Sequence, residues 1–146
     1  MARHDLGNGA ELAGRMLLGL LFVLEASSKL GDYAGALRYM AAFGMPPVLL
    51  PGAIALELGA GAMIIIGWRT RWGAAALAGF CALAAVVFHA NFSNRSQVVQ
   101  LEKDLALAGA FLVLWARGAG AWSLDSVLAG RRMVPDVILG RSQLKS

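Results

Sequence analysis

Glu57 stands alone in the apolar stretch from Pro47 to Trp68, which contains no other charge. Glu25 and Lys29 lie four residues apart near the end of a second apolar stretch, a spacing that puts both on one helix face. His89 falls near the end of a third stretch, and Glu102, Lys103 and Asp104 open a fourth. Arg15 lies in the opposite half of the first. Carboxylates can exchange protons, lysines donate hydrogen bonds, and a histidine titrates near neutral pH. These residue types therefore fit proton-coupled chemistry or the binding of a polar head group.

The chemistry depends on elements that can hold such groups in apolar surroundings. Of 146 residues, 58% are hydrophobic and 15% charged, against about 25% charged in ordinary soluble domains. A soluble globular domain, a disordered chain and a disulfide scaffold are all poor fits. A membrane-spanning helix needs about 20 mostly apolar residues. The composition accommodates about four such helices and no separate catalytic domain. The expected fold is an all-α four-helix transmembrane bundle, a single domain over residues 1–130. Its spans run over about 10–30, 47–68, 72–92 and 101–116, followed by a cytoplasmic surface tail over 131–146. The first stretch is read as a retained span rather than a cleaved leader.

The connections are legible as well. Asp32 is expected to cap a short interfacial helix over Tyr33 to Phe43, ended by Gly44 before Pro46-Pro47. Trp68-Arg69-Thr70-Arg71 reads as a tight turn and Ser93 to Gln97 as a polar connection. Gly118-Ala119-Gly120 breaks the last span, and Ser123 reads as the cap of a short turn over Leu124 to Leu128. Trp68, Trp72, Phe92, Trp115 and Trp122 mark span ends, as interfacial aromatic residues do. Nine of the thirteen Lys and Arg lie at the N-terminus, the second connection and the tail; four lie at the other connections. This asymmetry predicts both termini in the cytoplasm. The net charge of +4 is scattered, with no basic face interleaved by aromatic residues. It suits topology and anionic lipid rather than nucleic acid.

A charge at mid-membrane costs roughly 2.5–3.5 kcal/mol on insertion scales. At about 1.5 Å rise per residue, Glu25, Lys29, Glu57, His89, Lys103 and Asp104 all fall in the outer half of the bilayer. Four segments converging at one depth predict a shared polar pocket open to the outer surface, with Glu57 deepest. The plain alternative is that these residues form interhelical ion pairs that fix the packing. Lys103 and Asp104 could also be span-edge residues that reach water. Arg15 reads as an anchor at the inner interface, and Gly59 to Ala62 and Gly73 to Ala76 as close-packing surfaces.

Several chemistries drop out. One cysteine, Cys81, cannot run an internal dithiol cycle and reads as a packing residue. With two histidines, His4 outside the spans, bis-histidine haem within one chain is excluded. No zinc spacing or phosphate-binding loop is present. The expected site has no metal and no covalently bound cofactor. A small-solute carrier is disfavoured by the few spans and the lack of an inverted repeat.

The pieces Arg15…Gly19…Phe22…Lys29, Gly44-x-Pro46, Glu57-Leu58-x-x-Gly61, Gly67-x-x-Thr70-Arg71, Phe88-His89, Lys103-x-Leu105-Ala106-Leu107-x-Gly109 and Ser123-Leu124-Asp125 resemble the DoxX family in order and spacing. The resemblance covers about residues 10 to 126. It implies a four-helix protein of the bacterial cytoplasmic membrane with a redox-linked role. Some members of that family resemble the membrane subunit of a thiosulfate–quinone oxidoreductase; others work with cytosolic redox partners. The family's recurring polar positions correspond to Arg15, Lys29, Glu57, His89 and Lys103. Asp104 stands where the family often has Asn, and Glu25 where it often has a small or polar residue. Both add negative charge, which favours a neutral head group over an anion such as thiosulfate.

The resulting expectation makes Glu57 and His89 the catalytic pair, Glu57 exchanging protons and His89 with Lys103 hydrogen-bonding the ligand's carbonyls. It counts Lys29, which holds the carboxylates, Glu25 and Asp104 with Lys103 as ligand-binding. A quinone is the expected ligand, with lipids and a membrane redox complex as partners. The alternative is a structural or assembly subunit without chemistry.

Overall fold

The computed structural model describes residues 2–88 and 95–130, and every described element is helical. The elements are α1 (Ala2–Gly31), α2 (Tyr33–Ala42), α3 (Leu49–Ile66), α4 (Thr70–Phe88) and α5 (Arg95–Arg117), with a short α6 at 124–130. Among the described residues, α3 and α4 are long and apolar enough to cross a membrane. α1 and α5 have 30 and 23 residues, about 45 and 35 Å, but dilute their apolar surface with charges.

Helix bounds differ from the apolar bounds. α1 begins at Ala2 rather than near residue 10, and α5 includes Arg95-Ser96-Gln97, expected as connection. Once nucleated, a helix propagates through polar positions that no proline interrupts. Thr70 and Arg71, expected in a turn, open α4, so the connection from α3 is only residues 67–69. The third expected span reaches 92, but 89–92 lie outside the described residues, as does the tail 131–146.

Capping chemistry behaves as its residue types dictate. The Asp32 carboxylate accepts the Gly35 N–H at 2.8 Å and starts α2, and Gly44 follows the helix in the left-handed region at φ 69°. Ser123 Oγ accepts the Ser126 N–H at 3.2 Å at the start of α6. At the opposite end of α3, Gly67 takes φ 74°. A Cβ there would lie 2.7 Å from Ser123 Cβ and 2.8 Å from Arg15 Nη1, so only glycine fits.

The backbones pack α1 on α3, α3 on α4 and α4 on α5. Glycine sets the first two contacts. Gly19 and Gly61 face each other so closely that a Cβ on Gly19 would lie 2.8 Å from the Gly61 carbonyl oxygen. A Cβ on Gly73 would meet the Ala60 carbonyl at 3.1 Å. Small residues let helices approach to backbone contact, and dispersion and packing then hold them. The core at mid-bundle holds Phe22, Ile64, Leu77, Cys81 and Phe111, with Phe22 edge-on to Phe111 at 5.3 Å.

A second polar assembly closes the end away from α2. Arg15 is 3% exposed, and its guanidinium donates to the carbonyls of Ala119 and, at 2.8 Å, Trp122. Asp125 accepts the N–H groups of Arg69 at 2.8 Å and Thr70 at 3.1 Å, and its own N–H reaches the Gly67 carbonyl at 2.8 Å. It thus caps α4 from across the fold. Asp125→Ala is expected to cost about 0.5–2 kcal/mol, the range for a lost cap. Thermal denaturation in mild detergent checks it, and Asp125→Asn should recover part of the loss. Trp68, Trp72, Trp115 and Trp122 surround this end, each at least 45% exposed.

Candidate functional site

The charge pair that the first helix carries, Glu25 and Lys29, projects toward the middle of α3. The Gly19–Gly61 contact draws the two backbones together about two to three turns before Lys29 on α1 and about one turn after Glu57 on α3, and so sets the reach of Lys29. Its ammonium donates to both carboxylate oxygens of Glu57, at 2.8 and 2.9 Å. Glu25 Oε2 lies 3.7 Å from the same ammonium. Glu57 is 2% exposed, whereas the Glu25 and Lys29 side chains keep 60% and 28% of their exposure. Two carboxylates share one ammonium, so this triad holds either a net negative charge or an additional proton.

A cavity of about 1120 Å³ opens beside this triad. Glu25, Lys29 and Glu57 line it, and so do Gln100, Lys103 and Asp104 of α5. Lys103 Nζ donates to Gln100 Oε1 at 3.1 Å, one turn earlier on the same helix. The cavity therefore has polar groups from α1 and α3 at one wall and from α5 at another. Between them lie Leu21, Leu56, Leu83, Val87 and Leu107, with Ser28 and Asp32 as further polar lining. α2 contributes Ala36, Tyr39 and Met40. Phe22 and Phe80, edge-on at 6.4 Å, also line it. Apolar walls with a few convergent polar groups are the usual make-up of a small-molecule site.

Five of the six expected site residues thus line one cavity: Glu25, Lys29, Glu57, Lys103 and Asp104. His89 lies outside the described residues. Glu102, in the same charged run, is exposed and absent from the lining. Cys81 is 2% exposed in the core and touches the cavity as well. Arg15 is a buried clamp whose partners are backbone carbonyls more than a hundred residues away. Reading the sequence residue by residue misses Tyr39 and Phe88, which stack at 5.5 Å and both line the cavity. Nothing in the spacing singled out Tyr39, and Phe88 entered only through the family-like pair Phe88-His89. Burial first and the Asp104 carboxylate second raise the Tyr39 phenol above its ordinary range, so it keeps its proton at neutral pH.

The model of the DoxX family matches residues 10–90, more than half of the chain and all of the cavity's α1 to α4 lining. The chain belongs to the DoxX family. This DoxX protein is 40% identical over 117 residues to the Escherichia coli inner membrane protein YqjF, covering 80% of this chain and 90% of that one. It is 31% identical over 121 residues to the E. coli inner membrane protein YphA, covering 78% and 86%. No solved structure gives a significant match. The DoxX chain described here is accordingly an inner membrane protein.

Proposed function

We propose that this DoxX protein crosses the inner membrane four times and binds the head group of a lipid-soluble quinone in its cavity, in concert with a partner oxidoreductase. α1, α3, α4 and α5 are the spans, α2 lies at the outer surface, and both termini are cytoplasmic. The charges that dilute the apolar character of α1 and α5 include cavity-lining ones, which supports membrane crossing by these helices too. Nine basic residues toward one side and four toward the other support the orientation.

One observation carries the ligand reading: polar groups from α1 and α3 and from α5 meet in a single cavity whose remaining walls are mostly apolar, with Asp32 at the start of α2 as a further carboxylate. A neutral ring bearing two carbonyls and a hydrocarbon tail matches that distribution. Lys103, steadied by Gln100, donates to one carbonyl. Lys29 orients Glu57, which exchanges protons with the cavity. His89 is assigned a second proton-exchanging role on its sequence position. A bound quinone supplies a two-electron, two-proton couple, and the partner is the electron source.

The test is titration of the full-length protein in lipid nanodiscs with a short-chain benzoquinone, together with native mass spectrometry of gently purified material. Lys103→Met is expected to weaken binding about tenfold, roughly the 1.4 kcal/mol that one charge-assisted hydrogen bond contributes. Glu57→Gln and His89→Ala should also weaken it. No quinone-type lipid in the preparation and no titratable binding would remove the reading. The direct Lys29–Glu57 ion pair also suits a second role, a non-catalytic subunit whose polar cluster only packs helices. Fixed-stoichiometry co-purification with larger subunits, without quinone, would support that role.

A further inference from the structure

Three rings sit at the α2 end of the cavity. Tyr39 and Phe88 stack with centroids 5.5 Å apart and planes at 28°. Phe43 packs against both, at 5.1 Å from Tyr39 and 5.2 Å from Phe88, nearly perpendicular to the latter. Tyr39 and Phe88 line the cavity, whereas Phe43 does not. The pair is therefore braced from outside before any ligand arrives. The helix cap at Asp32 and the left-handed Gly44 hold α2, and with it Tyr39, in place. Phe88 comes from α4, so the wall joins two elements that are far apart in the chain.

Such a wall selects by shape. Hydrogen bonds from lysines accept any carbonyl, planar or not. Ring faces gain most from a flat partner, at offset-stacked or edge-on distances of about 4.5–7 Å. A braced pair also loses little conformational freedom on binding, since its rotamers are already set. The Tyr39 phenol, protonated at neutral pH, adds a donor at the ring edge.

We propose that Tyr39 and Phe88 are specificity-determining residues that admit a flat, conjugated ring and discriminate against a puckered head group with the same carbonyls. The proposal rests on the quinone reading and deepens it. It assigns carbonyl recognition to the polar groups and ring recognition to the aromatic wall.

The experiment compares two probes on full-length protein in nanodiscs: a short-chain benzoquinone, and a cyclohexane-1,4-dione carrying the same chain. Both present two carbonyls, but only the first is flat. The native protein is expected to prefer the quinone about tenfold, equivalent to about 1.4 kcal/mol. Phe88→Leu and Tyr39→Leu should abolish most of that preference by weakening quinone binding far more than dione binding. Tyr39→Phe and Phe88→Tyr keep a ring and should keep the preference, which separates a role in recognition from a role in folding. Equal affinities for the two probes in the native protein, or a preference that survives both leucine variants, would overturn the proposal while leaving quinone binding intact. Binding of neither probe would overturn both readings.

Discussion

Lys29→Met is expected to destabilise the folded protein by about 3 kcal/mol. Removing one partner of a buried ion pair typically costs about 3–5 kcal/mol, because the other charge stays behind without compensation. Glu57 is the group left behind: it is 2% exposed at the centre of α3, and both of its oxygens face the lost ammonium. The lower end of the range applies because the Lys29 side chain is 28% exposed and water reaches part of the pair. Thermal unfolding in mild detergent, followed by the loss of monodisperse protein, measures the effect. The double variant Lys29→Met with Glu57→Leu removes both charges and should recover most of the loss, since well-packed apolar replacements of buried pairs are often neutral or better. A single variant as stable as the native protein would show that the pair does not hold α1 to α3. A double variant as stable as the native one that no longer binds quinone would place the charges in the ligand site rather than in packing alone.

The second large effect is expected at the crossing of α1 and α3. Gly19→Val should prevent accumulation of folded protein or destabilise it by about 3 kcal/mol or more. Overpacking commonly costs about 1–3 kcal/mol, and here the obstruction includes backbone. The added Cβ would lie 2.8 Å from the Gly61 carbonyl oxygen and 2.6 Å from Ile65 Cγ1. The isoleucine can rotate; the carbonyl moves only if α3 moves. Gly61→Val meets the reciprocal problem, with its Cβ 3.0 Å from the Gly19 carbonyl oxygen. Gly59→Ala is the control, because a Cβ there meets nothing within 4 Å. It should change stability by no more than about 0.5 kcal/mol, as exposed substitutions usually do. Yield and thermal midpoint in the same detergent compare the three. If Gly19→Val and Gly59→Ala behave alike, the helices do not meet where this crossing puts them.

The two effects are linked. The glycine crossing sets how near the upper turns of α1 come to α3, and the Lys29–Glu57 bond closes only within a few tenths of an ångström of 2.8 Å. A displaced crossing should therefore weaken the ion pair and widen the cavity beside it, so glycine variants that fold are also expected to bind quinone less well.

Much of the architecture was legible one residue at a time. Asp32 and Ser123 cap because their short oxygens reach nearby N–H groups, a local event that chain neighbours decide. Gly44, expected as a helix stop, takes positive φ just past the end of α2, where a side chain is strained; Gly67 does the same after α3, one residue before the expected span end. The long apolar stretches mark α3 and α4 through composition alone. Helix limits were less legible, since a stretch stops being apolar before it stops being helical, as the first residues of α5 demonstrate. Glu25 and Lys29 could be placed on one face from their spacing, and their common face turned toward Glu57. The role of Arg15 was not legible. Its acceptors are the carbonyls of Ala119 and Trp122, and every residue type carries a carbonyl.

The amino-acid sequence thus determined the helical class, the caps, the membrane affinity and the positions where charge stands in apolar surroundings. These follow from composition and from contacts within a few residues. Tertiary structure alone decided that Gly19 meets Gly61, that Glu102 stays outside the cavity while Asp104 lines it, and that Tyr39 stacks on Phe88. The physical reason is that helical periodicity assigns each side chain a direction around its own axis, while the neighbour it meets depends on how closely and at what height the backbones cross.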